Sequence, residues 1–133
     1  ADLAQILNRV RQPFNVNSLA MTAAEAALKD TEFLQQTLNL VHAGIDYLSQ
    51  YFEGRRLPYQ ASQANFLLVE LGPDAPDIVT RLLERGVIVR GLTSYGYPEH
   101  IRVNVGLPEE NQKFVRALDA VIAEFGDSGG PKA

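Results

Sequence analysis

Two short apolar runs each carry an arginine where a strand would hold it. The first is Gly86-Val87-Ile88-Val89-Arg90-Gly91 and the second is Ile101-Arg102-Val103-Asn104-Val105-Gly106. The second alternates apolar and polar residues, the signature of a half-buried strand. Ile101, Val103 and Val105 then face a core, and Arg102 and Asn104 face the other way. A guanidinium stays charged at any working pH, and its planar fork matches the oxygens of a carboxylate or a phosphate. Two such groups on stiff backbone could converge on one anion. The same positions also suit ordinary surface arginines, because exposed strand positions are often charged.

Little else in the composition offers chemistry. There is no cysteine, and the histidines are His42 and His100 alone. That removes disulfides and thiolate metal sites, and a histidine-based metal site would need carboxylates to complete it. No metal is therefore expected. A net charge of −4 gives no electrostatic footprint for nucleic acid, and no basic amphipathic face points to a membrane surface. No apolar run approaches the roughly 20 residues that span a bilayer, and no basic region followed by an apolar stretch marks a signal peptide. Lack of cysteine suits a reducing cytoplasm, the expected location.

To hold the arginines the chain needs a sheet and elements that pack on it. Its 133 residues, 46% of them apolar, suffice for one domain with a real core. Leu3, Ile6, Leu7 and Val10 have helical spacing, so a short helix runs to about Arg11, and Pro13 stops it. With no initiator methionine, this helix reads as entered part-way, in a piece of a larger protein; a removed methionine is the trivial alternative. Asn17 or Ser18 caps an alanine-rich helix that passes through Leu19, Ala23, Ala27 and Leu28. Asp30-Thr31 marks its end or a break. Leu34, Leu38, Val41, Ile45, Leu48 and Phe52 then recur at spacings of 4, 3, 4, 3 and 4, which predicts a long amphipathic helix. Gly44 within it costs about 1 kcal/mol relative to alanine, Gly54 is placed to end it, and His42 lies near its core-facing stripe in a structural role.

Asn65-Phe66-Leu67-Leu68-Val69-Glu70-Leu71 is a near-continuous apolar run and predicts an interior strand. A helix follows from about Pro76 to Arg85, closed by Gly86 in the left-handed conformation. Strands over 87–90 and 101–105 flank the turn Tyr95-Gly96-Tyr97-Pro98. Pro108, Glu109 and Glu110 open a last helix whose buried face is Phe114, Leu118, Val121, Ile122 and Phe125. The expected fold is α+β: a small three-stranded sheet with helices packed on one face, preceded by a long helix. The expected segments are 1–30, 31–126 and a frayed tail, 127–133. The other sheet face, or the alanine-rich helix, is expected to show apolar area for something this chain does not supply.

Several stretches resemble one family. Arg11-Gln12-Pro13-Phe14-Asn15-Val16-Asn17-Ser18-Leu19-Ala20, with the alanine-rich helix after it, is similar to the entry into the interdomain helix of histidinol-phosphate aminotransferases. These are pyridoxal phosphate-dependent enzymes of fold type I. Ser62-Gln63-Ala64-Asn65-Phe66 resembles the family's small-domain strand start, and Arg85-Gly86-Val87-Ile88-Val89-Arg90 its next strand. His100-Ile101-Arg102-Val103-Asn104-Val105-Gly106, with Glu110-Asn111 beyond, resembles the strand of the substrate arginine. The matches keep the family's order over nearly the whole chain.

The resemblance implies that residues 1–30 are the end of a large domain and the interdomain helix, and 31–126 a C-terminal small domain. It implies an aminotransferase that moves an amino group between histidinol phosphate and 2-oxoglutarate by a ping-pong route in histidine biosynthesis, as a homodimer. Pyridoxal phosphate would be held by a lysine of the large domain. Lys29, Lys113 and Lys132 do not match that lysine's motif, so no catalytic residue is expected here, and the chain alone is expected to be inactive. What it would supply is substrate binding. Arg102 would hold the carboxylate of glutamate in one half-reaction and the phosphate of histidinol phosphate in the other, with Arg90 a second phosphate contact. Asn15, Asn65 and Tyr95 are weaker candidates. Asn15 equally suits a turn and Asn65 a strand end, and Tyr95 and Tyr97 either gate the site or are plain loop aromatics. Two alternatives stay open: a related aminotransferase or decarboxylase of another phosphorylated or aromatic amino acid, and a stand-alone, non-catalytic anion-binding module.

Overall fold

The computed structural model describes residues 2–11 and 14–127. Its contacts divide the chain into two units, Ala1–Gln36 and Thr37–Ala133. The first holds α1 (Asp2–Val10), α2 (Ser18–Ala27) and the start of α3 (Thr31–Arg55). Asn17 caps α2 as expected, its side-chain oxygen accepting from the Ala20 N–H at 2.9 Å. Asp30 caps α3 in the same way through the Phe33 N–H at 2.9 Å. No residue of α1 or α2 is buried, and Leu19, Met21 and Leu28 stand exposed. Pro13, expected to stop the first helix, lies outside the described residues, as does most of the expected tail; α5 continues to Asp127.

The second unit is a sheet covered by helices. The remainder of α3 leads to β1 (Tyr59–Gln60), β2 (Phe66–Glu70), α4 (Ala75–Glu84), β3 (Arg90–Gly91), a short 3-10 turn (Thr93–Tyr95), β4 (His100–Asn104) and α5 (Pro108–Asp127). The sheet order is β1-β2-β4-β3, every pair antiparallel. The α+β class and the one-sided helix layer are as the sequence predicts, but there are four strands rather than three. β1 is the addition. It is two residues long behind Pro58, too short to show alternation, and exists through its pairing with β2. The expected strand over 87–90 shrinks: only Arg90 and Gly91 pair with β4. Val87 is buried and Ile88 is 83% exposed, so the alternation survives without the ladder. A cleft of about 360 Å³ lies between residues 86–89 and 103–106 and the start of α5.

The core is where the alternation places it. Leu67 and Val69 of β2 and Ile101 and Val103 of β4 meet Leu48 and Phe52 of α3, Ile78 and Leu82 of α4, and Phe114, Leu118 and Val121 of α5. The period of α3 holds only in part, because Leu34 and Leu38 are exposed while Leu48 and Phe52 are fully buried. His42 is exposed and not part of the core. Gly54 does not end the helix. Arg56 takes the left-handed conformation, φ 57°. The Leu57 N–H bonds to the Phe52 carbonyl at 2.9 Å and the Arg56 N–H to that of Glu53 at 3.0 Å. That double bond pattern is a Schellman closure with Leu57 as its apolar contact, so core packing of Leu57 sets the stop and overrides the glycine preference. Gly86, φ 69°, ends α4 as expected.

Candidate functional site

The ladders decide which side chains share a surface. Arg102 pairs with Leu68 on one side and with Arg90 on the other. Directly opposed residues of an antiparallel pair project to the same face, and alternate residues along a strand do too. The face away from the core therefore gathers Gln60 of β1, Phe66, Leu68 and Glu70 of β2, Arg90 of β3, and His100, Arg102 and Asn104 of β4. Arg90 and Arg102 are exposed. Nδ1 of His100 is buried and has no hydrogen-bond partner.

Two like charges placed directly across a ladder repel. Among the described residues, neither arginine relieves this with a carboxylate. Among the described residues the ion pairs are Lys29–Glu25, Arg55–Asp119, Arg81–Glu124 and Arg85–Glu124. Each of the two arginines rests on an aromatic ring instead. The Arg102 guanidinium is 5.1 Å from the centroid of Phe66. That of Arg90 is 5.7 Å from the centroid of Tyr95 and donates to its hydroxyl at 3.4 Å. A ring face attracts a cation through its quadrupole but does not neutralise it. The arrangement is a pair of uncompensated, planar cations on a rigid sheet, suited chemically to an oxyanion.

The structure thus brings together Arg102, Arg90 and Tyr95. Tyr97 lies against the ring of His100, at 5.7 Å between centroids. Asn65 is exposed in the bend before β2, and its carbonyl accepts from the Val105 N–H at 2.9 Å, extending the ladder. Asn15 belongs to the first unit, exposed in the irregular stretch before α2. Phe66 and Glu70 are the residues that sequence reasoning missed. They sit in an apolar run with no polar alternation, so only the register with β4 reveals that they share Arg102's face.

Pyridoxal phosphate needs a lysine that is free to bond it, and the described residues do not fit that group. Lys29 is exposed and paired with Glu25 at 2.9 Å. The Lys113 ammonium donates to the Gly86 carbonyl at 2.9 Å. Lys132 lies outside the described residues. Among the described residues no cluster of histidine, aspartate and glutamate could hold a metal ion, and no helix is long and apolar enough to cross a membrane.

Comparison with known proteins gives a consistent set. The sequence model of the family described as Aminotransferase class I and II matches residues 1–118. Histidinol-phosphate aminotransferase 2 of Pseudomonas fluorescens (strain Pf0-1) is 50% identical over 121 residues, covering 91% of this chain and 33% of that protein. Histidinol-phosphate aminotransferase 1 of Nitrosococcus oceani is 47% identical over 124 residues, 93% of this chain and 34% of that protein. The crystal structure of histidinol-phosphate aminotransferase from Sinorhizobium meliloti, in complex with pyridoxal-5'-phosphate, superposes with a TM-score of 0.74 at 25% identity, covering 93% of this chain and 35% of that one. The chain spans about a third of the length of the curated relatives it matches.

Proposed function

This chain belongs to the aminotransferase class I and II family, and on that premise we propose that it is the substrate-anion clamp of a pyridoxal phosphate-dependent aminotransferase acting on histidinol phosphate and 2-oxoglutarate in histidine biosynthesis. The observation that carries the reading is the pair Arg90 and Arg102, opposed across β3 and β4, exposed, and without a carboxylate partner among the described residues. The names of the relatives supply the substrate class; the sheet supplies the chemistry that would hold it.

A transaminase passes two amino compounds through one site. Here one ends in a carboxylate and the other in a phosphate. A guanidinium can grip two oxygens of either with parallel hydrogen bonds. Arg102, on a strand flanked on both sides, is the shared contact. Arg90, beside it, adds charge where the larger dianion needs it. The cofactor and its lysine come from outside the described residues, as does the second subunit of the homodimer, so the role of this chain is to bind, orient and screen the substrate's acidic end. The longer protein carries out the transfer, in the cytoplasm.

The test is binding of histidinol phosphate and of glutamate to the protein and to two variants, read by calorimetry or amide chemical shifts. Arg102→Ala weakens both ligands by about tenfold or more, the scale of a lost charge-assisted hydrogen-bond pair. Arg90→Ala weakens the phosphate ligand more than glutamate. If Arg102→Ala weakens only one ligand, the shared clamp is wrong.

A further inference from the structure

The register of β2 against β4 sets a competition beside Arg102. Leu68 lies directly opposite it, and Phe66 and Glu70 are its two diagonal neighbours, one on each side of Leu68. Diagonal positions are within reach of a long side chain. Arg102 therefore has a choice between a ring and a carboxylate on the same open face. It lies over the ring, 5.1 Å from the Phe66 centroid, and forms no ion pair with Glu70. An exposed ion pair and an exposed cation–ring contact are of similar strength, so the balance is close and one substitution can tip it.

The geometry points to Phe66 as a positioning residue for Arg102: its ring keeps the guanidinium away from Glu70, and so keeps the cation available to a phosphate or carboxylate ligand. Glu70 is an internal rival, a carboxylate that resembles the end of the ligand it would displace. The inference rests on the clamp reading of Arg102 and adds the residue that decides whether the clamp is open. A ring is the right device for this. It is attractive enough to hold a planar cation flat, and it lacks the charge that would consume it.

The experiment is a double-mutant cycle on the 133-residue chain, with inorganic phosphate as the probe and amide chemical shifts as the readout. Phe66→Leu weakens phosphate binding by about threefold, the scale of an exposed cation–ring contact, and removes the ring-current shift from the Arg102 side-chain protons. Adding Glu70→Gln to Phe66→Leu restores most of that loss, whereas Glu70→Gln alone gains less, because the ring already holds Arg102 off. Phe66→Tyr keeps the ring, the wild-type affinity and the ring-current shift, so it reads the same role with the apolar contact preserved if Phe66→Leu disturbs the fold. Equal effects of Glu70→Gln in both backgrounds, or a weakened Phe66→Tyr, overturn the role of Phe66. Arg102→Ala separates the two levels: if it abolishes phosphate binding while the cycle is additive, only Phe66's role falls, and if it leaves binding intact, the clamp reading itself falls.

Discussion

The Tyr51 hydroxyl donates to one oxygen of Asp119 at 2.7 Å, and Arg55 donates to the other at 2.6 Å, so a single carboxylate joins α3 to α5. Burial, then the hydrogen bond to Asp119 and its negative charge, pushes the Tyr51 phenol up from its ordinary value of 10.0. A group that holds its proton more tightly when folded has its full stabilising effect below the unfolded value and loses it above. Folding stability therefore declines as pH rises past 10.0. In an alkaline titration followed by phenolate absorbance, Tyr51 ionises later than an ordinary phenol, and Tyr51→Phe removes that late step. It also costs about 1 kcal/mol at neutral pH through the lost hydrogen bond. Loss of an ordinary rather than a late ionisation step in Tyr51→Phe would show that the link does not form in solution. At this scale the sequence spoke clearly about Arg102, because alternation alone assigns its face. It was silent about Tyr51 and Asp119, and about the ring beneath Arg102, since those partners meet only through packing and register.

At the scale of elements, Gly44 is the sharpest case. Helix propensity alone makes it a cost relative to alanine. In the structure it is the point where α3 meets the strand-to-helix corner: a Cβ there would collide with the Val105 side chain and come within 3.1 Å of the Asn111 amide nitrogen. Asn111 is buried, accepting from the Gly106 N–H at 2.9 Å and donating to the Gly106 carbonyl at 3.1 Å, so it has little room to give. Overpacking outweighs propensity, and Gly44→Ala destabilises by about 1–2 kcal/mol net. Gly54→Ala, with nothing within 4 Å of the added carbon, gains up to about 1 kcal/mol. Denaturant midpoints of the two variants should move in opposite directions; a stabilised Gly44→Ala would refute the packing argument. The helices were legible because caps and periods are local: Asn17, Gly86 and the apolar spacing of α5 each announce themselves. β1 and the shortened β3 were not, because a two-residue strand is defined by its partner, and the stop of α3 was hidden because Leu57 is drawn into a core that no local pattern displays.

For the molecule as a whole, burial is uneven. α1 and α2 are 9 and 10 residues long and bury nothing. Helices of that length are marginal without tertiary packing. Their amides should exchange with deuterium far faster than those of β2 and β4, whose alternate side chains are fully buried, and the β2–β4 amides should approach the protection of global unfolding. Equal protection in both units would mean that stability is not confined to the sheet and its helices. Within that sheet, the two arginines stand on unequal ground. Arg102 is carried by a strand gripped from both flanks, and Arg90 by the last two paired residues of a margin whose preceding stretch, 87–89, has already left the ladder. On the clamp proposed above, the pair would work like a caliper with one fixed and one adjustable jaw: a wider or narrower anion would be accommodated at the rim, while the inner jaw would set its alignment.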